Sequence, residues 1–186
     1  MEKIKRLEDI IIAPETIPEA GIEDEVSVSP EAMSEVIKDE DLKVTKPFHI
    51  HYVVEREEGS DTIHADVDVA GEVETFCSRC LEPMTHKVEF RLDTDYIPAL
   101  PDMAKDLEAE RSSSETGYYR KNVRLGDYIV SELVLALPIR YICNEECKGL
   151  CPGCGANLNR EECHCETPVD PRMQKLGDLK DKIRRK

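Results

Sequence analysis

The sequence predicts an α+β fold: an antiparallel β-sheet laid out as a meander and covered by a helix, then a cysteine-rich appendage and a terminal helix. Three observations carry this expectation. Apolar residues alternate with polar ones between Phe48 and Asp93, a helical apolar period runs over residues 125–137, and six of eight cysteines crowd into residues 143–165. With 186 residues, one ordinary domain and a small satellite fit, with expected bounds of 1–142 and 143–186. Three Phe and no Trp leave the core to Val, Ile and Leu.

Residues 13–47 mix Pro, acids and small residues, and only "SPEAMSEVIKDE" stands out there, as a short helix with Ser29 as N-cap and Pro30 at its first position. From Pro47 the period is two. Phe48, Ile50, Tyr52 and Val54 share one face of a strand, and His49, His51, Val53 and Glu55 the other. "REEGSD" supplies a turn into a long second strand, with Ile63, Ala65, Val67, Val69 and Val73 on its apolar side. The third run sets Val88, Phe90 and Leu92 against Lys87, Glu89, Arg91 and Asp93, completing a sheet with one wet face. Residues 98–117 read as a polar surface excursion. Beyond them Leu125, Ile129, Leu133 and Leu137 form the stripe of a helix that Pro138 ends and that is expected to cover the sheet. Asp170 and Pro171 start a terminal helix with Met173, Leu176, Leu179 and Ile183 on one stripe.

The first twenty residues hold neither the apolar run of a signal peptide nor a membrane span, so a cytoplasmic protein is expected. In that reducing compartment, cysteines point to metal or redox chemistry before disulfides. The net charge of −15 opposes nucleic-acid binding by bulk electrostatics and calls for a local basic patch or a basic protein partner. Charge is also polarised: residues 170–186 carry +4 and the rest of the chain −19.

The cysteines fall as Cys77-x2-Cys80, then Cys143-x3-Cys147-x3-Cys151-x2-Cys154-x8-Cys163-x-Cys165. Zinc takes four thiolates in a tetrahedron, and a C-x2-C turn supplies half a site. In "CPGCG", Pro152 presets φ and Gly155 lets amides curl toward the sulfurs. The simplest pairing joins Cys151 and Cys154 to Cys163 and Cys165 as a C-terminal zinc knuckle, leaving Cys77, Cys80, Cys143 and Cys147 as a second set. A rival pairing puts Cys143, Cys147, Cys151 and Cys154 on one ion, and spacing does not decide between them. One or two structural Zn²⁺ ions are the expected cofactors. A thiol-redox or redox-sensing role for Cys77 and Cys80 is the alternative, but Pro83 and a strand follow where a dithiol oxidoreductase has a helix.

No phosphate loop, nucleophile elbow or H-E-x-x-H motif is present, and four-thiolate zinc has no open position, so no enzyme and no small-molecule substrate is expected. His49, His51 and His64 belong to a solvated strand face before they belong to a metal site, and His164 reads as a turn residue before a ligand. "YYRKNVR" interleaves aromatics with Arg120, Lys121 and Arg124, and the chain closes on Arg184, Arg185 and Lys186; both are candidates for RNA contact, although a loop and a solvated helix end are the plainer readings.

"CSRCLEP", "LGDYIVSELVLALPI", "CKGLCPGCGANLN" and "DPRMQKLGDLK" together resemble the YceD family of large ribosomal RNA subunit accumulation proteins, specifically from about residue 76 onward. The resemblance implies a non-catalytic ribosome biogenesis factor supporting synthesis, processing or stability of 23S rRNA and large-subunit assembly. It implies as partner a large-subunit ribosomal protein, the 23S rRNA precursor, or both.

Overall fold

The computed structural model describes residues 6–99 and 116–165. The described chain divides into two compact units, one of residues 6–75 with 83–99 and 116–141, the other of residues 76–82 with 142–165. The terminal helix expected from Asp170 lies outside the described residues, as does most of the expected excursion at 98–117.

The first unit is a five-stranded sheet in the order β1 (Ile22–Val28), β2 (Phe48–Arg56), β3 (Ile63–Phe76), β4 (Pro83–Pro98) and β5 (Thr116–Tyr119), with helices α1 (Pro30–Ile37) and α2 (Leu125–Ala136). β1 runs antiparallel to β2 with Val26 opposite Ile50, and β2 antiparallel to β3 with Tyr52 opposite Val67. Between β3 and β4 the bonded side-chain pairs run in opposite senses, His64 with Asp93 and Asp66 with Arg91.

β5 pairs parallel to β4, Tyr96 opposite Gly117, so the sheet is mixed and not the pure antiparallel meander expected. A parallel neighbour needs a connection of a dozen residues or more, which the chain between Pro98 and Thr116 provides. β1 and β5 also add two strands that the periodicity does not predict.

The alternation expected of β2 and β3 is observed: Phe48, Ile50, Tyr52, Val54, Ile63, Ala65, Val67, Val69 and Val73 are all buried. Gly71 breaks the run because its position is taken. A Cβ there would lie 2.4 Å from the ring of Phe48, which fills the space a side chain would use. On β4, Val88 and Leu92 are buried and Phe90 partly so, with Thr94 and Tyr96 extending the inner row. Leu125, Ile129 and Leu133 of α2 are wholly buried in the same core, as the helical stripe requires. α2 also packs on the short turn Leu7–Asp9, where the N–H of Gly126 donates to the carbonyl of Ile10 at 3.1 Å.

α1 begins as its sequence predicts. Ser29 sits in the extended region and its Oγ accepts from the N–H of Ala32 at 3.3 Å, with Pro30 at the first helical position. Ser29→Ala leaves that N–H without its cap, and a loss of about 1 kcal/mol in a urea denaturation series is the expected outcome.

Candidate metal centres

All eight cysteines lie in the second unit, and its turns explain how they converge. Between β3 and β4 the N–H of Cys77 donates to Glu82 O at 2.8 Å and that of Leu81 to Cys77 O at 2.9 Å, closing a knuckle. The amide of Arg79 then points at Cys77 Sγ, 3.4 Å away. The stretch Cys151–Gly155 repeats this construction from different residues: the N–H of Gly155 donates to Cys151 O at 2.9 Å, and that of Gly153 faces Cys151 Sγ at 3.4 Å.

The repeat requires a left-handed residue directly after the second cysteine. Gly155 meets that requirement with φ of 76°, but the first knuckle has Leu81 at φ of 56°. Leu81 is exposed, so its side chain offsets little of the strain. Leu81→Gly is expected to raise stability by about 0.5–1 kcal/mol, the left-handed cost being relieved in part against the freer unfolded chain, as a shift in denaturation midpoint with ion content unchanged.

Arg79 joins the first knuckle to the segment that supplies its other two thiols. Its guanidinium Nη1 donates to the carbonyls of Glu145 and Cys147, 3.0 Å each, while its own carbonyl accepts from the N–H of Leu150 at 3.0 Å. Gly149 is needed at this crossing: at φ of 75°, a Cβ would come within 2.9 Å of Arg79 O. Asn159 binds from the far side, its Nδ2 donating to Cys147 Sγ at 3.4 Å and its Oδ1 accepting from the N–H of Lys148 at 2.8 Å. Residues 149–151 and 156–158 pair as a small hairpin, and Glu82 accepts from Asn157 and Arg160.

Two sets of four sulfurs result: Cys77, Cys80, Cys143 and Cys147, and Cys151, Cys154, Cys163 and Cys165, each set lying within 4.8 Å. Neighbouring Sγ atoms are 3.9 Å (Cys77–Cys147), 3.7 Å (Cys80–Cys143), 3.5 Å (Cys154–Cys163) and 3.2 Å (Cys151–Cys163) apart. Metal–sulfur bonds of ~2.3 Å in a tetrahedron imply sulfur–sulfur edges of ~3.8 Å, so both sets are geometrically suited to one metal ion. The simpler of the two pairings open to the sequence is the one assembled. Cys147 and Cys151, grouped together in the rival, belong to different clusters.

The thiols are electrostatically uneven. Burial pushes the Cys77 thiol up, but the N–H groups of Cys143, Cys80 and Arg79 outweigh it and bring it down to about 6. Cys151 also falls to about 6, through the N–H of Cys154, the Cys163 side chain and the N–H of Gly153. In each set another thiol is pushed up to about 12, Cys143 by its bonds with Cys147 and Cys77 and Cys165 by those with Cys163 and Cys154. Four sulfurs this close cannot all carry charge alone; a divalent cation among them removes that conflict.

Other candidates are placed as follows. His164 is exposed and belongs to neither set. His49, His51 and His64 lie on the outward sheet face beside acids, with His51 Nε2 3.0 Å from Glu23 and His64 Nδ1 2.9 Å from Asp95. In "YYRKNVR", Tyr119 is a core residue whose hydroxyl donates to Asp61 O at 2.6 Å, and Arg124 forks onto Asp127. Arg120 and Lys121 are exposed; Arg184, Arg185 and Lys186 lie outside the described residues. Sequence reasoning missed the supports Arg79, Glu82, Asn157 and Asn159, although "CSRCLEP" and "ANLN" put polar side chains with fixed geometry beside the ligand positions.

These features define a class: an α+β protein with a mixed sheet and a separate unit built around two closed four-cysteine centres. Comparison with known proteins places it further. The family described as "Large ribosomal RNA subunit accumulation protein YceD" matches residues 65–180, and the chain belongs to that family. Uncharacterized proteins of Mycobacterium bovis and Mycobacterium tuberculosis are each 35% identical over 104 residues, covering 55% of this chain and 48% of theirs. The "Large ribosomal RNA subunit accumulation protein YCED homolog 1, chloroplastic" of Arabidopsis thaliana is 34% identical over 67 residues, 36% of this chain and 21% of that one. The chain thus spans about half the length, or less, of these relatives. No solved structure matches it. Among the described residues, no helix is long and apolar enough to cross a membrane.

Proposed function

We propose that this protein is a non-catalytic, cytoplasmic factor in large-subunit biogenesis that supports accumulation of 23S rRNA by holding a basic large-subunit ribosomal protein. In this reading each cysteine set binds one structural Zn²⁺. The observation that carries the role is the family match, which runs through both cysteine sets. Zinc is the metal of choice because the donors are four thiolates in closed tetrahedral spacing with N–H groups turned toward the sulfurs, and no position is left for substrate or water.

Two features favour a protein partner over RNA. The outward sheet face presents Glu23, Glu25, Glu55, Asp68, Glu89, Asp93 and Asp95 to solvent, a field that attracts a cationic polypeptide and repels phosphate. The aromatic-basic segment offers RNA less than its composition promises, since Tyr119 is in the core and Arg124 is neutralised by Asp127.

The test is a pull-down of the full chain from growing cells with and without nuclease, alongside 23S:16S ratios after depletion. A ribosomal protein retained after nuclease and released by salt, with a fallen ratio, is expected. Association that vanishes with nuclease, or is indifferent to salt, rejects the protein-partner reading, and an unchanged ratio rejects the role.

A further inference from the structure

The two cysteine sets have the same chemistry but differ in enclosure. In the first set Cys77, Cys80 and Cys147 are buried and only Cys143 is exposed. In the second only Cys151 is buried; Cys154 and Cys165 are exposed and Cys163 is half-buried. The chain topology differs in the same direction. Bonded sulfur pairs of the first set join residues 63 and 70 positions apart, whereas those of the second lie 9 and 12 apart. Opening the second set therefore disturbs one short loop, while opening the first undoes the crossing built on Arg79.

We propose that the cluster Cys151, Cys154, Cys163 and Cys165 is an oxidation site that releases its metal ion to hydrogen peroxide, while the cluster Cys77, Cys80, Cys143 and Cys147 keeps its own. This rests on the reading of both sets as zinc sites. The exposed Cys154 thiolate attacks one peroxide oxygen, the O–O bond breaks, and hydroxide leaves to give a sulfenic acid. The Cys163 thiolate, whose Sγ lies 3.5 Å from that of Cys154, displaces the second hydroxide and forms the disulfide. Each sulfur gives up one electron, peroxide takes both, and two protons from solvent convert the hydroxides to water. Cys151 and Cys165 alone do not retain the ion, which leaves as Zn²⁺. The site thereby assigns reactivity to residues other than the Cys77–Cys80 pair, whose thiols are enclosed.

The experiment uses the zinc-loaded full chain, with native mass spectrometry for ion count, a chromophoric chelator for release kinetics, and peptide mapping for disulfides. Hydrogen peroxide is expected to free one of two ions on the order of tenfold faster than the other, with a Cys154–Cys163 bond in the one-ion species. A thiol reductant with added zinc then restores two ions. Release of both ions at one rate, first oxidation within the Cys77 set, or no release overturns the proposal. A starting count of one ion or none overturns the two-zinc reading itself, before any peroxide is added.

Discussion

Cys80→Ser is expected to remove one ion per chain and with it the order of residues 76–82 and 142–150. Cys80 is 3% exposed and shares its set with Cys143, 63 positions further along the chain, so an ion bound there would close the longer loop of the two sets. Binding of a structural zinc contributes on the order of 10 kcal/mol to the folded form, most of which disappears with one thiolate. The equivalent change at Cys165 also removes one ion, but the loop it opens spans about a dozen residues. By loop-closure entropy the longer closure is worth on the order of 1–2 kcal/mol more. Hydrogen exchange at the amides of Leu81 and Leu150, which donate to Cys77 and Arg79, reports the difference. Both amides lose protection in the Cys80 variant and keep most of it in the Cys165 variant. Retention of two ions by Cys80→Ser, or equal loss of protection in both variants, contradicts this division.

Phe48→Ala should destabilise the sheet unit by about 3–5 kcal/mol, the usual cost of deleting a buried aromatic. The ring is wholly buried, and one side of it is met by Gly71, which has no side chain to move into the vacated volume. Collapse is limited because Phe48 pairs with Val28 on one side while its ring spans to Gly71 of β3 on the other. Equilibrium urea unfolding followed by far-UV circular dichroism measures the loss. Ion content should be unchanged, since all eight thiols belong to the other unit. A loss below about 1 kcal/mol would mean that the site repacks freely, against the close fit described.

Where the sequence is legible, one physical signal dominates. Phe48–Val54 and Ile63–Val69 alternate buried and outward positions without interruption, and Val88–Leu92 continues the same period, so burial on one face follows directly from it. β1 escapes that reading because Glu23, Asp24 and Glu25 stand in line, and only Val26 and Val28 of its residues are buried. β5 is four residues long, too short for alternation to register, and its parallel direction depends on a partner far along the chain. At the two cysteine sets, the C-x2-C spacing foretells half of each. The choice between pairings does not lie in spacing at all. It lies in Arg79, whose backbone and guanidinium bring Cys147 to Cys77, and in Gly149, which alone permits that approach.

The same crossing has a consequence for biosynthesis. Cys147 trails Cys77 by 70 positions, so translation at about 5–20 residues per second leaves the early dithiol waiting roughly 4–14 seconds for its partners. During that interval the nascent chain carries Cys77 and Cys80 without the two thiols that complete their set of four.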